Sequence, residues 1–114
     1  MPIKTKRIYE PREAGDGTRL LVMRLWPRGI KKSHVDGWLK ELGAPYPLIK
    51  AWKAGQLEWP EYRRRYLAGL KTPAARAQLG ELKAFVAKGP VTILCGCPDE
   101  ARCHRGILKR LLTK

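Results

Sequence analysis

With 114 residues and a net charge of +14, the chain is long enough for one packed core and too short for two domains. Its 44% apolar content excludes a disordered chain, and no apolar run approaches the roughly 20 residues that cross a bilayer. The opening Met1-Pro2-Ile3-Lys4-Thr5-Lys6-Arg7 is basic and leads into no apolar export core, so a cytoplasmic address with no membrane partner is expected.

Residues 3–9 read as a short strand, which Pro11 and Gly15-Asp16-Gly17 break into a turn. Residues 19–26 are nearly continuous in Leu, Val, Met and Trp, the pattern of a strand buried on both faces, and Pro27 and Gly29 end it. Ser33-x-x-Asp36 resembles a capping box. Val35, Trp38, Leu39 and Leu42 follow at helical spacing until Gly43 and Pro45 stop the helix. A short helix over 47–54 buries Leu48, Ile49 and Trp52 and closes at Gly55. Trp59, Tyr62, Tyr66 and Leu70 mark one face of a helix starting near Pro60, with Arg63, Arg64 and Arg65 mostly on its solvated faces. Thr72-Pro73 is an N-cap followed by proline at the first helical position. That helix buries Ala75, Leu79, Leu82 and Val86 and ends at Gly89-Pro90. Val91–Cys95 is a second fully buried strand, and residues 103–113 form a last helix with Ile107, Leu108, Leu111 and Leu112 inward. The predicted fold is a small single α/β domain over 1–114, a mostly parallel sheet with helices packed on it.

The excess charge is uneven. Residues 1–32 and 71–114 each carry nine Lys and Arg against three acids, whereas 33–70 carries six against four. Such a field draws anions, either phosphate-bearing small molecules or nucleic acid. It is also the composition of a plain solvated basic surface.

In a parallel sheet, ligands bind beyond the carboxyl ends of the strands. Two loops leave such ends: Arg24-Leu25-Trp26-Pro27-Arg28-Gly29, and the segment from Cys95 through Arg105. If the strands are neighbours, Arg24, Arg28 and Arg105 converge with Cys103 on one anion, and Trp26 either stacks against it or packs under the loop. Cys103 falls at the start of the last helix, where free N–H groups and the dipole favour an anion and a thiolate. Adjacent residues on a helix point about 100° apart, so Cys103 and His104 are not expected to form a nucleophile–base pair. His104 is expected to contact substrate or orient the loop.

The three cysteines, Cys95, Cys97 and Cys103, are too few and too clustered for a secreted disulfide framework. A Cys97–Cys103 bridge fits only a thermophilic source. A zinc site from Cys95, Cys97, Cys103 and His104 has suitable donors but unusual spacing; no metal and no cofactor are expected. A phosphatase-like Cys-x5-Arg loop fails, because Ala101, Cys103 and Lys109 stand where arginine is needed.

The stretch Leu21-Val22-Met23-Arg24-Leu25-Trp26-Pro27-Arg28-Gly29, preceded by Arg7-Ile8-Tyr9-Glu10-Pro11, resembles the bacterial and archaeal YeaO-like family, domain of unknown function 488. Trp38-Leu39-Lys40-Glu41-Leu42, Tyr62-Arg63-x-Arg65-Tyr66 and Val91-Thr92-Ile93-Leu94-Cys95 extend the likeness along the chain. Cys103-His104-Arg105 is similar to the Cys-His-Arg signature of the broader family. Members usually carry Asp where this chain has Met23, and many lack the Cys-His-Arg end. The resemblance implies a fold class and no established activity. The combined expectation is binding, with or without catalysis, of an anionic, phosphate-bearing small molecule at the carboxyl rim. Arg24, Arg28, Arg105 and Trp26 would hold the anion, with Cys103 and His104 at the reacting centre. The alternative is a basic nucleic-acid-associated protein without catalysis. The sequence sets no oligomeric state.

Overall fold

Val91–Cys95 has no exposed residue, and a strand with nothing exposed needs a neighbour on each edge and a layer on each face. The computed structural model, which describes residues 3–96 and 103–113, supplies both. Strands β1 (Ile3–Arg7), β2 (Thr18–Leu21), β3 (Gly37–Trp38) and β4 (Val91–Cys95) form one parallel sheet in the order β1-β4-β2-β3. Ile3 and Thr18 both lie level with Val91, on either side of it.

The odd positions of β4, Val91, Ile93 and Cys95, join the main core with Leu20, Val22 and the helices. Helices α1 (Tyr46–Lys53), α2 (Trp59–Gly69), α3 (Pro73–Lys88) and α4 (His104–Thr113) contribute Leu48, Tyr62, Tyr66, Ala75, Leu82, Ile107 and Leu108 to it. The other face carries no α-helix among the described residues. There Ile8, Leu21 and Leu94 pack under Trp26, Ile30 and Val35 of the irregular segment after β2. No helix among the described residues is long and apolar enough to cross a membrane.

The helices follow their local signals closely. Thr72 accepts the Ala75 N–H at 3.3 Å to cap α3. On α2, Glu61 pairs with Arg64 at 2.6 Å and Arg65 at 2.7 Å, so much of that basic run is neutralised. These two hydrogen bonds hold the Glu61 carboxyl down at about 2. On α4, Leu111 proves exposed rather than inward.

Three expectations fail around the first two strands. The strand ends at Leu21 rather than at residue 26, and β1 ends at Arg7 rather than at residue 9. The helix expected over 33–42 does not form. In its place stand single 3₁₀ turns at Lys32–His34 and Lys40–Leu42, with β3 between them. The cause is the open edge of β2, whose backbone groups need partners. Asp36 N–H donates to Arg19 O at 2.7 Å and Leu39 N–H to Leu21 O at 2.8 Å. The Asp36 carboxylate accepts the Arg19 N–H at 2.8 Å. Trp38, on this edge, is exposed rather than core.

Beneath the loop-covered face lies a buried ionic knot that sequence periodicity does not reveal. Arg19 is wholly buried and donates to Asp16 at 2.5 Å, to the His34 carbonyl at 3.0 Å and to the Glu10 carbonyl at 3.1 Å. Lys6 reaches Asp16 at 2.9 Å and also pairs with Glu13. Thr92 from β4 donates to the Asp16 carbonyl at 2.8 Å. Next to the knot, Gly17 holds φ +64° with the Pro90 carbonyl where a Cβ would sit. Gly17→Ala is therefore expected to cost at least about 2 kcal/mol, from left-handed backbone plus overlap. Urea unfolding measures it, and a loss under about 0.5 kcal/mol would show that the turn relaxes freely.

Candidate thiol–histidine centre

The carboxyl end of β4 meets the start of α4. Cys95 closes the strand, Cys103 immediately precedes the helix, and His104 and Arg105 are its first two residues. All four are buried, because α2 covers this end of the sheet with Tyr62 and Tyr66. The Cys95 and Cys103 sulfurs stand 2.9 Å apart. Cys103 Sγ lies 3.7 Å from His104 Nδ1. His104 Nε2 sits 2.5 Å from the Val22 carbonyl oxygen, and Arg105 Nη1 donates to Cys95 Sγ at 3.2 Å.

These contacts assign the imidazole tautomer. A carbonyl oxygen only accepts, so Nε2 carries a proton, and in the neutral imidazole the lone pair is then on Nδ1, the nitrogen next to the Cys103 thiol. The expectation that Cys103 and His104 point apart is therefore corrected. The 100° rule applies within a helix, and Cys103 lies just outside one. Arg105 and the positive end of α4 both favour negative charge on sulfur here. Tyr66 packs 5.5 Å from the His104 ring and donates its hydroxyl to the Leu42 carbonyl at 2.6 Å. Burial above all, then Tyr62 and the two sulfurs, pushes the Tyr66 hydroxyl well above its usual pKa, while Arg24 pulls the other way. Tyr66 thus stays protonated as a fixed donor.

The expected anion cluster is only partly assembled. Arg105 is at the centre. Arg24 follows β2 and stands within electrostatic reach of Tyr66, but it donates to the Gly43 carbonyl at 2.8 Å and pairs with Glu41 at 3.1 Å. Gly43 has no room for a side chain, since a Cβ would meet the backbone of Met23 and Arg24. Arg28 is exposed on its turn. Trp26 belongs to the opposite face: it donates to the Ile30 carbonyl at 2.8 Å and packs edge-on against Trp38 at 5.4 Å. A depression of about 400 Å³ beside Arg12, Lys31 and His34 lies near that segment too, and its Arg12 already pairs with Asp36.

Cys95, Cys103 and His104 offer ligand atoms within 4.8 Å of one another, a donor set suited to zinc. Cys97, the other candidate ligand, lies outside the described residues. A tetrahedral zinc with bonds of about 2.3 Å spaces two thiolates about 3.7 Å apart. At 2.9 Å the Cys95 and Cys103 sulfurs would have to separate to hold one. Tyr66 was not expected beside Cys103 and His104, and Cys95 was expected there only as a possible zinc ligand. Cys95 read as the end of a buried strand and Tyr66 as part of an apolar stripe, and only tertiary contact distinguishes them.

A family model described as the active DUF488-N3 subclade matches residues 3–114. The chain is 40% identical over 111 residues to the uncharacterized protein YeaO of Escherichia coli K12, covering 95% of this chain and 94% of that one. It is 34% identical over 114 residues to uncharacterized proteins of Mycobacterium tuberculosis H37Rv and Mycobacterium bovis, covering 97% of this chain and 93% of each. No solved structure matches it. A match over nearly the whole length, together with the Trp26-Pro27-Arg28-Gly29 and Cys103-His104-Arg105 motifs, places the chain in the YeaO-like family of domain of unknown function 488.

Proposed function

We propose that the protein is an enzyme of thiolate chemistry acting on an anionic, phosphate-bearing small molecule at the carboxyl rim of the sheet. Cys103 is the nucleophile, and His104 takes its proton through Nδ1. The observation that carries this reading is the alignment of Cys103 Sγ, His104 Nδ1 and, across the ring, Nε2 on the Val22 carbonyl. A nucleophile, a base and a group orienting the base are the parts such catalysis needs. The family description as an active subclade supports an enzyme. The anionic substrate is supported by the net charge of +14 and by Arg24 and Arg105 beside the centre.

Millimolar inorganic phosphate is expected to slow iodoacetamide alkylation of Cys103 several-fold, and Arg24→Gln to weaken that protection. Peptide mapping measures both. An unchanged rate at saturating phosphate would remove the phosphate-bearing class. Steeply salt-dependent binding to unrelated duplexes, equal in wild type and Cys103→Ser, would favour the nucleic-acid reading instead.

A further inference from the structure

Nucleophilic attack by Cys103 leaves Cys95 without a role, yet Cys95 Sγ is 2.9 Å from Cys103 Sγ and receives a hydrogen bond from Arg105 at 3.2 Å. We propose that Cys95 is the resolving thiol of a two-cysteine centre that exchanges with small anionic disulfides. The proposal rests on Cys103 being the nucleophile.

Three observations support it. First, the sulfurs need to close by only about 0.9 Å to reach disulfide bonding distance, although eight residues separate them in sequence. Second, each sulfur has its own polar neighbour: Arg105 on Cys95, and His104 Nδ1 on Cys103. A buried thiol that only packs behaves as a small apolar group and needs no such neighbour. Third, both cysteines are buried. Once Cys103 carries a mixed disulfide, Cys95 is therefore the thiol held nearest to it, and resolution within the chain outpaces attack by a second thiol from solution.

The exchange balances in two displacements. Cys103 passes its proton to His104 and attacks one sulfur of R–S–S–R. The new Cys103–S bond forms as the substrate S–S bond breaks, and the departing thiolate takes the proton from His104. Cys95 then attacks Cys103 Sγ, and the second thiolate leaves with the proton that Cys95 gives up. The substrate disulfide is reduced by two electrons to two thiols, and the Cys95–Cys103 pair is oxidised to a disulfide. Arg105 stabilises negative charge on Cys95 as it attacks. The net charge of +14 selects anionic over cationic disulfides.

The test treats fully reduced protein anaerobically with oxidised glutathione, quenches with iodoacetamide and maps the peptides. Two glutathione thiols released per chain, a Cys95–Cys103 bond and an alkylated Cys97 are expected. Cys95→Ser should release one thiol and retain glutathione on Cys103. Anionic oxidised glutathione should react about tenfold faster than cationic cystamine at low salt, with the ratio shrinking as salt is added. A bond to Cys97, or a glutathione adduct persisting on wild-type Cys103, overturns the resolving role and leaves the nucleophile intact. Equal rates for the two probes overturn the anionic preference. One equivalent of zinc shielding both thiols overturns the exchange. If Cys103 takes up neither iodoacetamide nor glutathione in metal-free protein, the nucleophile reading itself fails.

Discussion

Replacing Arg19 by Met is expected to lower the unfolding free energy by about 3–5 kcal/mol, the usual cost of removing one partner from a buried ion pair. The variant keeps most of the volume but leaves the Asp16 carboxylate buried with Lys6 and the Glu13 N–H as its remaining donors. The Glu10 and His34 carbonyls lose their guanidinium donors as well. Urea denaturation at pH 7 measures the loss. A change below about 1 kcal/mol would show that water or a rearranged Lys6 replaces Arg19.

The same knot gives the wild type an acid-sensitive stability. Burial by itself would raise the Asp16 carboxyl, but the hydrogen bonds from Lys6, the Glu13 N–H and Arg19 outweigh it and hold it at about 2, below the ordinary 3.8. A carboxyl with a lower pKa in the folded state binds protons less readily there than when unfolded. Its contribution is therefore complete above about pH 4 and is lost as pH falls toward 2. In Arg19→Met one of the lowering contacts is gone, so the folded-state carboxyl rises toward its ordinary value and the acid-dependent loss linked to Asp16 should be smaller than in wild type.

Replacing His104 by Ala is expected to slow iodoacetamide alkylation of Cys103 at pH 7 by at least about tenfold, the smaller end of what a positioned base contributes. Most of the loss should return near pH 10, where a thiol ionises without help. The pH profile separates a base from a packing residue. His104 also packs on Tyr66 and anchors Val22, and losing those contacts would lower the rate equally at every pH. Such a uniform loss would make His104 a positioning residue only. Cys103→Ser, with alkylation then falling on the other cysteines alone, checks that the signal comes from the intended sulfur.

The legible parts of this chain are those whose cause lies within a few residues. The Thr72 cap, the stripe of Tyr62, Tyr66 and Leu70, and the apolar run of Val91–Cys95 placed α3, α2 and β4 almost to the residue. The segment over 33–42 carries a helical period too, and there the period misled. Its backbone had a better offer from the edge of β2, and a strand contact made across some 17 residues leaves no trace in local spacing. The Leu-Val-Met-Trp run after Arg19 misled in the same way. Its apolar residues are used first by the sheet and then, at Trp26, by a loop that covers the opposite face.

The sequence by itself thus determined the class of fold, a single domain with a parallel sheet and helices, and pointed to Cys103-His104-Arg105 as the chemically loaded segment. The tertiary structure decided which groups meet at that segment. It set Cys103 one residue outside α4, so that its sulfur faces Nδ1, and it turned Nε2 onto Val22. It also brought Cys95 to within 2.9 Å of Cys103 and sent Trp26 to the other face. The physical reason is one of range. Caps, turns and periodicities act over one or two helical turns, whereas the side chains that meet at a strand's carboxyl end are chosen by the register of the whole sheet.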